Sequence, residues 1–313
     1  MAERFLPLIL VSQIQRSGGS MMAQLLDGHP ELLVHPHELH IGSPNKWDWP
    51  AFTLRESPEH WFNFLYEKPF ENLVTHGYTK PGSNKFAVED VFPFSFSIEK
   101  LRHQFLEYCA QKRPIERQRQ ILDAYFQAFF DAWEDHRPTG RELFVAAFTP
   151  RVVMYEPCVE QFFADYPDGK LISLVRNPCS WYASTVRHNT DHANLRFALR
   201  EWLLCMDGIK RVADRSNVLV LIYEDVLANP QSSLSRVADF IGIKFDPILL
   251  RPSYLRQPVR PNSSFDIDVH GINTQMIDRR DSLPAPFVKV IEDVAMPAYR
   301  ELVRQHGLGS LHS

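Results

Sequence analysis

Apolar and polar positions follow two different rhythms along this chain. Near the start, the apolar run FLPLILV (residues 5–11) gives way to a polar, glycine-containing loop, QIQRSGG (13–19), and an apolar-patterned stretch from Ser20 to Leu26 stops at Gly28-His29-Pro30. That order predicts strand, loop, helix. A short apolar run (32–34) then leads into a histidine-rich loop (35–40). The rhythm changes between about residues 43 and 140, where Pro, Trp and Phe are frequent and the recognisable pieces are helical. From Ile121 onward, Leu122, Tyr125, Phe126, Phe129, Phe130 and Trp133 recur at three-to-four spacing, the mark of a helix face buried in a core. This segment is expected to be a helical insertion whose aromatic stripe serves packing.

The strand rhythm returns with LFVAAF (143–148), LISLV (171–175) and VLVLIY (218–223). The second is a continuous apolar run of the kind buried on both faces of a parallel sheet. Helices are expected through 159–164, after Asn177-Pro178, over about 193–212 and over 230–241. Strands alternating with helices predict an α/β fold with a parallel sheet. The 313 residues allow one large domain or two modest ones, at about 150 residues per domain.

Charge and cysteine usage narrow the function classes. With 34 Lys and Arg against 38 Asp and Glu, the net charge of −4 argues against bulk nucleic-acid binding. A polyanionic ligand would need a local cluster of basic groups and backbone amides. Cys109, Cys158, Cys179 and Cys205 lie far apart with no CxxC, which predicts free buried thiols in a reducing compartment. The 5–11 run is short, follows the single Arg4 and has no small-residue cleavage site behind it, so it reads as a first strand and not a leader. No run reaches the roughly 18 to 20 apolar residues of a membrane span, and the expected location is cytoplasmic.

Two constellations could carry chemistry. In the loop from Gln13 to Ser20, between a buried strand and a helix start, successive N–H groups and the positive end of the helix dipole suit a phosphate, and Ser20 can add a hydroxyl. The loop is not GxxxxGK[ST], because Arg16 precedes the glycines and no Lys follows. Alone, it equally fits an ordinary glycine turn capping a helix. In LISLVRNPCSWYAST (171–185), Arg176 ends a strand, Pro178 opens a helix and Ser184 lies eight residues after Arg176. An Arg at the C-terminal end of a parallel strand faces the crevice where ligands bind, and its planar fork suits a phosphate. Alone, it equally fits a salt bridge at a sheet edge.

Together the two segments resemble a known family. RSGGSMMAQLLDGHP is similar to the 5′-phosphosulfate loop of sulfotransferases that use 3′-phosphoadenosine 5′-phosphosulfate (PAPS), in the RSGTS-type version of bacterial and Golgi enzymes, and LVRNPCSWYAS is similar to their 3′-phosphate motif. Further similarity appears at Thr149-Pro150, at Tyr223-Glu224-Asp225 with NPQSSLSRVADFIGI, and at Asn262-Ser263-Ser264-Phe265. The matches run in order over about 6–40 and 143–270 and leave the insertion uncovered. The resemblance implies a single domain over 1–313, a P-loop-like parallel sheet flanked by helices with the insertion at about 43–140, and an enzyme that moves a sulfuryl group from PAPS to a hydroxyl or amine acceptor, leaving PAP. It implies that Ser17, Gly18, Gly19, Ser20 and Met21 hold the 5′-phosphosulfate and that Arg176 and Ser184 hold the 3′-phosphate. Tyr223 belongs to the same cofactor site, and Arg16 is the catalytic cation. Sulfuryl transfer, like phosphoryl transfer, is an in-line displacement governed by positioning and charge stabilisation, and it needs no metal.

The chain departs from the family's pattern at several places. Gln15 stands where many relatives have Pro, Phe148 where relatives often have a Lys that can reach the cofactor, and Cys179 where a basic residue is common. Arg279 and Arg280 could compensate or form a solvated surface pair. The base is sought in the histidine-rich loop. His37 lies 21 residues after Arg16, where tyrosylprotein sulfotransferase-like relatives carry a catalytic Glu, and Glu38 follows it. His37 is the expected base, since neutral imidazole can accept a proton near pH 7. A solvent-exposed loop histidine and a zinc site from His35, His37 and His40 are the other readings, although HELH is not HExxH. Trp47, Trp49, Phe52, Trp61 and Phe62 suggest an apolar or sugar-stacking surface for a small-molecule or carbohydrate acceptor, and core packing explains them equally well. A non-catalytic PAP-binding protein with a degenerate site and a P-loop-type kinase remain as alternatives.

Overall fold

Five short strands, each almost wholly buried, form one parallel sheet: β1 (Leu8–Val11), β2 (Leu32–Glu38), β3 (Phe144–Phe148), β4 (Lys170–Val175) and β5 (Val218–Ile222). Their order is β2-β3-β1-β4-β5, with β1 in the middle between β3 and β4. The computed structural model describes residues 6–42, 45, 47–66, 95–112, 114–258, 271, 272, 274 and 277–308. The Asn262–Phe265 similarity therefore falls outside the described residues, as do all of 67–94 within the insertion.

Alternation along the strands divides the core into two layers, because successive side chains point to opposite faces. Ile9, Val11, Ala146, Phe148, Ile172 and Leu174 face one layer, which packs on helices α1 (Gly19–Leu26), α8 (Tyr223–Ala228) and α9 (Pro230–Ile241). Leu8, Leu10, Val145, Ala147, Leu171 and Val175 face the other layer. There the insertion supplies α2 (Pro58–Leu65), α3 (Ile98–Gln111) and α4 (Gln118–Ala132), and the later chain supplies α5 (Glu156–Asp165), α6 (Pro178–Thr185) and α7 (Leu195–Val212). Helices α10 (Ala285–Val294) and α11 (Met296–His306) close the C-terminal side of this layer.

Local signals set several helix ends. Ser57 and Ser97 cap α2 and α3 by accepting from the N–H groups of His60 and Lys100, and Asn177 caps α6 ahead of Pro178. Gly242 ends α9 in the left-handed conformation, φ 86°. The α4 stripe is core packing: Phe129 and Ile121 are fully buried.

Two expectations about elements need correction. Residues 35–38 belong to β2 and are not loop, because Glu38 pairs with Phe148 of β3 after a register shift beyond Val34. A bulge hides the period-2 pattern, and Pro36 is tolerated because β2 is an edge strand. Tyr223 starts α8 and is not the last strand residue. No helix among the described residues is long and apolar enough to cross a membrane.

Candidate active site

The loop after β1, Arg176 after β4 and the end of β2 lie at the C-terminal edge of the sheet, where a parallel α/β fold leaves its crevice. The loop after β1 reaches α1 through two residues with left-handed backbone, Arg16 at φ 67° and Gly18 at φ 100°. Gly18 is needed twice over, since a Cβ there would also lie 2.5 Å from the Tyr223 ring. The first intrahelical bond of α1 runs from the Met22 N–H to the Gly18 carbonyl at 2.9 Å. The N–H groups of Gly19, Ser20 and Met21 therefore point out of the helix start, and no side chain caps it. This is the arrangement that holds an anion.

Arg176 leaves β4 directly beside that loop and is 3% exposed. Its Nη1 donates to the Arg16 carbonyl oxygen at 2.7 Å, and its guanidinium lies 4.6 Å from the centre of the Tyr223 ring. Its Nε and Nη2 are buried without a partner, as is Ser17 Oγ. Across the loop, Arg16 Nε donates to Ser184 Oγ at 3.2 Å. Arg16, Ser17, Arg176, Ser184 and Tyr223 are thus brought together as expected. Burial, and then repulsion from Arg176, lower the Arg16 pKa to about 10. Arg16 still carries its charge at neutral pH, so the half-buried Arg16 and the buried Arg176 face each other as two cations, and Arg176 keeps two guanidinium nitrogens unpaired. Such a site is electrostatically short of an anion, and orphaned donors next to a bare helix start fit phosphate and sulfate oxygens.

The third wall comes from the ends of β2 and β3. The His37 Nδ1 lies 2.6 Å from the Glu38 carbonyl oxygen. A carbonyl can only accept, so this nitrogen carries the proton and the neutral ring keeps its lone pair on Nε2. Glu38 Oε1 accepts from both Trp47 Nε1 at 2.8 Å and His40 Nε2 at 2.7 Å. His35 is different: its ring packs 4.6 Å from Phe129, is 1% exposed, and burial holds its pKa well below the usual histidine range. Among the described residues no group of three or more His, Cys, Asp or Glu could hold a metal ion.

Arg151 is the residue that the sequence reading missed. It is left-handed, φ 73°, and its Nε donates to Gln15 Oε1 at 2.9 Å while Nη1 pairs with Glu201 at 2.7 Å. Its guanidinium stacks 4.7 Å from the Trp47 ring, so the same arginine touches both the loop and the tryptophan that holds Glu38. The signal that marked Arg176, an Arg just past a buried parallel strand, was present here too.

The other candidates sort by contact. Trp49, Trp61 and Phe62 lie in the core at 3 to 4% exposure, whereas Trp47 reaches Glu38. Phe148 is buried against α1 and brings no charge. The Arg279 N–H donates to Ser180 Oγ near the start of α6, and Arg280 pairs with Glu292 on the surface. All four cysteines are free; three are buried and Cys158 is half-buried.

The sulfotransferase family model matches residues 7–247. Among solved structures, the chain is similar to the sulfotransferase domain of the Synechococcus PCC 7002 olefin synthase, at 20% identity and a TM-score of 0.55, covering 97% of this chain and 96% of that one. It is also similar to the sulfotransferase domain from the curacin biosynthetic pathway, at 19% identity and a TM-score of 0.53, covering 93% and 98%. At these identities the likeness is one of fold. No curated protein sequence matches the chain.

Proposed function

The chain belongs to the sulfotransferase family, whose members transfer sulfuryl groups, and from that premise we propose that its donor is PAPS, bound as a polyanion across the starts of α1 and α6. The observation that carries this reading is Arg176, fully enclosed with two N–H groups unpaired, beside the orphaned Ser17 hydroxyl and the uncapped amides of Gly19, Ser20 and Met21. In this reading Arg176 and Ser184 hold the 3′-phosphate, with Tyr223 packed beneath Arg176. The α1 amides with Ser17 and Ser20 hold the 5′-phosphosulfate, and Gly18 lets the loop close against Tyr223. Arg16 lies beside the bridging oxygen.

The chemistry balances without a metal. The acceptor oxygen attacks sulfur as the bond from sulfur to the 5′-phosphate oxygen breaks, and the electron pair leaves with PAP. The acceptor proton passes to a base, for which His37 Nε2 is suited by its lone pair, while Glu38 is already engaged by Trp47 and His40. Arg16 stabilises the charge that grows on the leaving oxygen. Trp47, half-buried at the same edge, supports an acceptor that presents a hydroxyl on a small molecule or carbohydrate. The four free cysteines fit a reducing compartment and hence the cytoplasm, and the two layers on one sheet support reading the chain as one domain.

The test is transfer of ³⁵S from labelled PAPS to a panel of hydroxyl acceptors, run beside PAP binding by calorimetry. Tight PAP binding with label transfer is the expected result. PAP binding with no transfer to any acceptor would mark a binding protein, and no binding of PAP would remove the donor assignment.

A further inference from the structure

Gln13 opens the loop after β1, and the reading above gives its side chain no role. It is fully buried, with its carbonyl oxygen tied to the Arg151 N–H at 3.0 Å. Both polar atoms of its carboxamide, Oε1 and Nε2, are sealed from solvent with no hydrogen-bond partner. A buried amide with donor and acceptor both unpaired is destabilising, and in a folded protein it calls for a reason.

The position of that amide supplies one. Gly19, the first residue of α1, does not have a left-handed backbone, so its conformation does not require glycine. Space does: a Cβ on Gly19 would lie 2.1 Å from Gln13 Nε2 and 2.1 Å from the Phe148 ring. The carboxamide nitrogen thus fills the place that a side chain at position 19 would occupy, against the uncapped end of α1. The Phe148 ring closes the other side of the same glycine and brings no charge. Gln13 and Gly19 therefore work as a pair, one residue lending the side chain that the other lacks.

We propose that Gln13 is a sulfuryl-binding residue, its Nε2–H donating to a non-bridging oxygen of the transferring sulfuryl group. This rests on the PAPS reading above. A sulfuryl oxygen can only accept, so the amide nitrogen and not Oε1 is the partner. Gln13 would then help the enzyme tell PAPS from PAP, because PAP lacks the group it holds.

The test is titration of the full chain with PAP and, separately, with PAPS in the absence of an acceptor, for the wild type, Gln13→Leu and Gln13→Glu. Gln13→Leu should keep PAP affinity within about twofold and weaken PAPS by about tenfold or more, the loss expected for a hydrogen bond to a charged group. Gln13→Glu keeps the shape but replaces the donor with an acceptor, and it should weaken PAPS at least as much. Wild-type affinity for PAPS in either variant overturns the proposal and leaves the PAPS reading intact. Equal loss of PAP and PAPS in both variants also overturns it and makes Gln13 a support of the loop. A wild type that binds neither ligand defeats the donor reading, and this inference with it.

Discussion

The guanidinium of Arg176 donates a 2.7 Å hydrogen bond to the backbone carbonyl of Arg16, 160 residues away in the chain. Arg16 is held at φ 67°, a conformation that costs a non-glycine residue on the order of 1–3 kcal/mol. That twist turns its carbonyl toward Arg176 while its side chain reaches Ser184 on α6. One strained residue therefore ties together the two loops that, in the proposed reading, hold the two ends of the donor.

Arg176→Ala should remove most of the rise in melting temperature that PAP gives the wild type, because a ligand that binds only the folded state stabilises it by mass action. Arg176→Lys should recover little, since one ammonium cannot bond the Arg16 carbonyl and also present a planar fork to phosphate. Thermal melts with and without PAP check both, and an unchanged shift in Arg176→Ala would sink the 3′-phosphate assignment.

Arg16→Ala should lower kcat by on the order of 10²-fold or more, as for loss of one preorganised charge-stabilising donor, while PAP affinity falls much less. Steady-state rates and PAP titration on the same preparation separate the effects. Equal losses would make Arg16 a ground-state anchor for phosphate.

His37→Ala should lose most turnover and the acid limb of the pH–rate profile while still binding PAP. Glu38→Ala should retain that limb and lose rate more modestly, because Glu38 anchors Trp47 and His40. A dead Glu38→Ala beside an active His37→Ala would reverse the roles.

Glu224→Gln should stabilise the protein in alkaline but not in acidic solution. Glu224 is enclosed, accepting from the Asn177 N–H at 2.9 Å and from the Tyr299 hydroxyl at 3.0 Å, and burial raises its pKa to about 7 despite those bonds and the charge of Arg176. A carboxyl raised in the folded state favours folding below its unfolded pKa, and that contribution is lost as pH rises from about 4.5 to about 7. Glutamine can accept from Asn177, pair with Tyr299 and carry no charge. Its advantage should be about 1–3 kcal/mol, a few degrees in Tm, at pH 8 and near zero at pH 4.5, read from melts at the two pH values. An equal shift at both would assign the effect to packing.

The segments whose structure depends on near neighbours were legible from residue order. The strand runs at 143–148 and 171–175 and the helix 230–241 fall within a residue of the observed elements, because buried parallel strands are continuously apolar and Pro230 and Gly242 punctuate their helix. The spacing of Arg176 and Ser184 also carried through, since a strand end and the second turn of the following helix lie at a fixed separation. The His35 to Glu38 stretch did not carry through, because a bulge at an edge strand breaks the alternation that would reveal it.

The sequence by itself determined the two loops, the class of ligand they suit and the elements that carry them, all of which rest on dihedral preference and side-chain period over a dozen residues. Only the tertiary structure decided that β1 lies between β3 and β4, that Arg151 bridges Gln15 and Trp47, that Tyr299 closes on Glu224, and that Gln13 fills the space above Gly19. Those contacts join chemically unremarkable residues, most of them from distant parts of the chain. Their partners are chosen by which surfaces the core brings within 3 Å, and no local pattern encodes that distance.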